Sequence, residues 1–69
     1  MKIAQLKNLG HHLLEEYKML SGSDGRAAYA ELEKRMKGKN PHFSAMKTKK
    51  ELRLAIGTLK KMIYKATNK

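Results

Sequence analysis

The chain is expected to be an all-α, three-helix domain with a long, amphipathic, basic C-terminal helix. Three observations predict this. Apolar residues recur at helical spacing in three separate segments, a glycine-rich break and a proline-containing connector divide them, and a Thr-Lys-Lys-Glu start signal precedes the third. The helices are predicted at roughly residues 2–20, 24–37 and 48–66, with a connector over 38–47, in one domain covering 1–69.

In the first segment Ile3, Leu6, Leu13, Tyr17 and Leu20 fall on one side of a helix of 3.6 residues per turn. Gly10 is its weak point, because glycine costs about 1 kcal/mol in a helix interior. The stop is SGSDG, residues 21–25, where glycine admits left-handed backbone and serine and aspartate compete for backbone hydrogen bonds. Ser23 or Asp24 is the expected cap of the second helix, which places Tyr29, Leu32 and Met36 on one side and draws helix propensity from Ala27, Ala28 and Ala30. Gly38 ends it. Pro41 biases its predecessor away from helix, so 38–47 reads as a connector that Phe43 and Met46 plug into the core.

Thr48 and Glu51 have the spacing of a capping box, in which hydroxyl and carboxylate satisfy each other's orphan backbone donors. Leu52, Ala55, Ile56, Leu59, Ile63 and Ala66 then carry the apolar period almost to the end, and Thr67 to Lys69 are expected to fray. Leu59 and Ile63 are the expected centre of the core on this helix.

Composition narrows the function. The chain has 16 Lys and Arg against 6 Asp and Glu, a net charge of +10, and no cysteine. Disulfides and thiolate metal sites are thereby excluded, and in so short a chain a thin core is expected to gain stability from a homodimer or from a bound partner. The apolar runs are too short to span a bilayer, so no membrane role is expected and the cytoplasm is the expected location. Charge is also divided unevenly. Residues 1–33 hold four cations and five anions, for a net −1, whereas residues 34–69 hold twelve cations and one anion, for a net +11. Such a half repels itself in a compact fold and suits a polyanionic partner, against the alternative of a solubilising surface.

On the third helix Lys50, Arg53, Lys60, Lys61 and Tyr64 lie away from the apolar stripe, with Gly57 among them, and Lys65 extends the run. Lys47, Lys49 and Lys50 gather at its start. These eight side chains, Lys47, Lys49, Lys50, Arg53, Lys60, Lys61, Tyr64 and Lys65, are the candidate surface for nucleic acid or an acidic protein. A bare glycine there suits close approach of a phosphate backbone or of a partner helix. Leu54 and Met62 flank the buried side and, with Gly57, are the candidate contacts for a partner helix, against the plainer reading of core-edge residues shielded by lysine stems.

His11, His12, Glu15 and Glu16 form two His-to-Glu pairs at i, i+4. The two pairs point to different sides of the helix, so ordinary helical pairing is expected and no metal is predicted. His42 stands alone in the connector. Neither paired carboxylates in the basic half nor a glycine-rich phosphate loop is present, so no catalytic residue, no cofactor and no enzymatic activity are predicted.

The run LKNLGHHLLEEYKML, then GRAAYAELEKRM, PHFSAM and a final helix, resembles the helical part of a small phage and prophage domain family described as zinc-finger-containing. The resemblance covers roughly residues 6–62 and rests on His11 or His12, on Arg26 with Tyr29 and Leu32, and on His42. That family's cysteines precede its helical part and have no counterpart in this chain, so zinc is not carried over. The resemblance implies a mobile-element origin.

The expected function is nucleic-acid binding through phosphate contacts, as an accessory protein of a phage or mobile element. Sequence-specific reading is not expected, because arginine, the commonest reader of guanine, occurs only at 26, 35 and 53. The ten-residue connector also exceeds a helix-turn-helix turn unless Phe43 to Met46 adds a short helical turn. The alternative is a small phage-type inhibitor or adaptor, used in host takeover, that binds an acidic surface of a host protein.

Overall fold

Each helix starts and stops at signals carried by its own residues. The computed structural model describes residues 2–68, with α1 at Ile3–Ser21, α2 at Gly25–Arg35, a short 3₁₀ turn at Phe43–Ala45 and α3 at Lys49–Thr67. Gln5 reaches back to accept a hydrogen bond from the Lys2 backbone N–H (2.9 Å) at the start of α1. At its end Gly22 turns left-handed (φ 71°) and its N–H bonds to the Lys18 carbonyl (2.9 Å). Asp24 caps α2, its carboxylate accepting from the Ala27 N–H (2.8 Å).

Thr48 caps α3 by accepting from the Glu51 N–H (3.2 Å); the reciprocal bond from the Thr48 N–H to the Glu51 carboxylate is not made. At the other end Thr67 remains helical. Its hydroxyl donates to the Ile63 carbonyl and the Asn68 side-chain amide donates to that of Tyr64 (both 3.0 Å), which ties down residues expected to fray. Lys69 lies outside the described residues.

The end of α2 is unusual. Gly38 N–H bonds to the Glu33 carbonyl (2.9 Å) and Lys37 N–H to the Lys34 carbonyl (3.3 Å), which is the Schellman pattern. Its left-handed position is held by Lys37 (φ 60°), where glycine is usual. The helix therefore closes two residues earlier than expected, at Arg35.

α1 and α3 form the main helix pair, and α2 with the 3₁₀ turn closes one side. Leu6, Leu14, Ala28, Leu32, Met36, Phe43, Met46, Leu52, Ala55, Ile56, Leu59 and Met62 make one continuous core, and no polar side chain is buried among the described residues. Phe43 and Met46 do plug the connector into it. Phe43 is completely buried and its ring lies over Gly10, where an added Cβ would stand 2.6 to 2.9 Å from three ring carbons. Gly10 is thus a seat for the ring rather than a weak point.

That seat rotates α1 relative to the expected stripe. Leu14 and Gly10 are buried, Leu13 and Tyr17 are only half-buried, and Leu20 is exposed. On α3 the fully buried positions Leu52, Ala55, Leu59 and Met62 step by three, four and three residues, the narrow seam of two helices packed along their length. Met62 therefore takes the place expected for Ile63, which is half-buried. Among the described residues no helix is long and apolar enough to cross a membrane.

Candidate functional site

The apolar seam of α3 faces α1, so its opposite side is left to solvent. Lys49, Lys50, Arg53, Lys60, Lys61, Tyr64 and Lys65 are all exposed there, and Lys47 is exposed just before the helix. At about 100° per residue, Lys49, Arg53 and Lys60 form one row and Lys50, Lys61 and Lys65 a second, roughly 100° further round. Gly57 and Tyr64 lie in the strip between them. Tyr64 is 67% exposed.

Gly57 is the centre of this face. Its neighbours one turn away are Arg53, Leu54, Lys60 and Lys61, and an added Cβ would meet no atom within 4 Å. No intramolecular packing thus accounts for a glycine at a position where alanine is better by about 1 kcal/mol.

Charge on this face is unneutralised. The two ion pairs found, Glu15 with Lys18 (2.8 Å) and Glu31 with Arg35 (2.9 Å), lie within α1 and α2, so no α3 cation has a carboxylate partner among the described residues. Glu51, the one acid of α3, stands in its first turn, where it complements the helix dipole.

The partner-helix trio is divided by the structure. Leu54 (47% exposed) and Gly57 stay on the surface, whereas Met62 is 2% exposed and belongs to the core. Leu54 borders a groove of about 480 Å³ between the connector and the start of α3, with Met36, Ala45 and Met46 contributing apolar surface and Lys39, Lys50 and Glu51 the charged groups of its lining. Sequence reasoning did not find this groove, because it needs the connector to fold back onto α3.

The histidines are arranged differently from the expected pairs. Glu15 is taken by Lys18, and the His11 ring meets the edge of Phe43 (centroids 5.3 Å apart). His42 stacks on Tyr29 at 4.4 Å, while its backbone N–H donates to the Asn40 side chain (3.0 Å) across Pro41. Burial raises the Tyr29 phenol above its ordinary pKa; nearby Lys18 opposes this and Glu15 adds to it. Among the described residues no three side chains of metal-binding type converge.

Compared with protein-family models, curated proteins and solved structures, the chain matches none. Its own chemistry therefore carries the functional reading.

Proposed function

We propose that this protein is a nucleic-acid-binding module whose outward α3 face contacts phosphate backbones. The observation that carries the reading is Gly57: a bare point on the helix, unexplained by packing and surrounded by Arg53, Lys60 and Lys61, which have no carboxylate partner among the described residues. Phosphate binding by lysine and arginine releases condensed counterions, which supplies affinity without sequence discrimination. A second copy of the chain on this face would bring like charges together, so the face suits a polyanion better than a dimer seam. No catalytic step is part of the proposal, and the mobile-element origin implied by the resemblance is compatible with such an accessory role.

The test is charge reversal at Lys60 and Lys61, both exposed and off the seam. The double variant should keep the wild-type melting temperature while binding to labelled DNA and RNA at low salt falls below detection. Wild-type binding that survives the reversal would place the interface elsewhere.

The groove beside Leu54 favours a second reading, an adaptor or inhibitor that docks an acidic host protein, because an exposed leucine stands beside a lining in which Lys39 and Lys50 outnumber Glu51. Its mark would be a specific protein retained after nuclease treatment and released by Leu54→Ala, with a weaker salt dependence than phosphate binding.

A further inference from the structure

We infer that the polyanion is duplex DNA in the B form, with α3 lying in the major groove. The inference rests on the nucleic-acid reading and adds which nucleic acid is bound and how. Its basis is the arrangement of charge around α3. Cations confined to one edge of a helix suit a single backbone running beside it. Here they form two rows, Lys49, Arg53 and Lys60 on one side and Lys50, Lys61 and Lys65 on the other, separated by a strip with no charge.

Two rows match two backbones. A helix with its side chains is about 10 to 12 Å across, and the major groove of B-form DNA is about 12 Å wide with phosphates along both walls. The rows run from residue 49 to residue 65, about 24 Å of helix, so each can meet several phosphates along its wall. The strip between them faces the floor of the groove, and Gly57 stands midway along it.

The missing side chain at Gly57 then has a purpose. A bulky side chain at the middle of the strip, where a straight helix comes closest to the base edges, would hold the axis away from them and shorten the reach of both rows to the walls. Since no described residue occupies that space, the space is available to the DNA. Tyr64, in the same strip two turns on, places its ring toward the floor near the end of the helix. Lysine dominates both rows, so the strip docks the helix without a pair of arginines to read guanine edges.

Other nucleic acids fit less well. The major groove of A-form RNA is deep and too narrow for side chains to read, so the same helix could use only one row on an RNA duplex. A single strand also offers one backbone, and the strip lacks the several exposed aromatic rings on which successive bases stack, Tyr64 being alone there.

The test uses the intact chain with three short probes of matched length: a DNA duplex, an RNA duplex and a DNA single strand. The DNA duplex should bind at least about tenfold more tightly than either other probe at equal salt, since six phosphate contacts fall to about three. Dimethyl sulfate should then be applied to the saturated DNA duplex. Guanine N7, which lies in the major groove, should be protected, while adenine N3 in the minor groove stays reactive. Gly57→Leu, whose side chain enters open space in the free protein, should leave folding intact and weaken duplex binding by about tenfold or more.

Equal binding of all three probes, unprotected N7, or a Gly57→Leu variant that binds like the wild type would each overturn the major-groove placement while leaving phosphate binding standing. Failure to bind any of the three probes would instead remove the nucleic-acid reading itself.

Discussion

Two glycines lie inside long helices of this protein, and their surroundings are opposite. Gly10 of α1 faces inward, and Phe43 occupies the volume its side chain would fill. Gly57 of α3 faces outward, and nothing occupies that volume. Each carries the same propensity cost of about 1 kcal/mol relative to alanine. At Gly10 the compensation is internal, since the bare backbone lets a connector aromatic close the core. At Gly57 none exists among the described residues. A glycine without an internal reason, at the centre of a basic face with no ion pair among the described residues, supports the proposed binding surface more sharply than net charge does.

The largest effect should come from the ring itself. Phe43→Ala removes the largest fully buried side chain and should cost about 3 to 5 kcal/mol in chemical denaturation, enough to unfold much of so small a domain. Gly10→Ala should destabilise by about 1 to 3 kcal/mol through overpacking despite the better propensity of alanine. A Phe43→Leu background gives the methyl room, so the same Gly10→Ala change should there cost less or become stabilising. An equal cost in both backgrounds would break the link between the two residues.

Gly57→Ala should do the reverse and stabilise by about 1 kcal/mol, visible as a higher melting temperature, because the added methyl meets only solvent. Destabilisation would show that the two glycines are alike after all. A similar gain, up to about 1 kcal/mol, is expected for Lys37→Gly, which relieves a side chain in a left-handed position. Its readout is the same melting curve.

The smallest effect concerns Tyr29. Its phenol is raised by burial, so the unfolded chain loses this proton first as pH increases. The folded state then binds more protons than the unfolded one, and stability falls as pH rises through about 10, the unfolded value. Below that value the phenol is neutral in both states and contributes no slope. Tyr29→Phe should therefore flatten the alkaline part of the stability profile without changing its neutral part.

Local chemistry made the helices legible. Asp24 and Thr48 announce the starts of α2 and α3, and the side of α3 that carries Lys50, Arg53, Lys60 and Lys61 follows from periodicity alone. Phase was harder. α1 contains both Leu13 and Leu14, and which of them turns inward depends on Phe43, about thirty residues away, finding Gly10. The three-four seam between α1 and α3 similarly buries Met62 in preference to Ile63, a choice made by the partner helix and not by hydrophobicity. Lys18 competes with histidine for Glu15 one turn along the same helix, so the His-to-Glu spacing was a poor guide to the pairs formed.

The candidate face was legible because lysines stay exposed wherever the fold turns, whereas the groove beside Leu54 required knowing how the connector returns. What sequence could not supply was the reason for Gly57. Only the empty space above it separates a packing glycine from one that packing does not explain.

If both edges of α3 grip phosphates, DNA binding must depend steeply on salt. Binding of a labelled DNA duplex, followed by fluorescence anisotropy, should weaken linearly on a log-log plot with a slope near −5, as six contacts imply, a loss of about 10³-fold between roughly 50 and 200 mM salt. Replacing Lys60 and Lys61 by Gln should reduce that slope by about two units. A nearly flat salt response, or a slope unchanged by the two replacements, would mean that α3 does not hold phosphates along both edges.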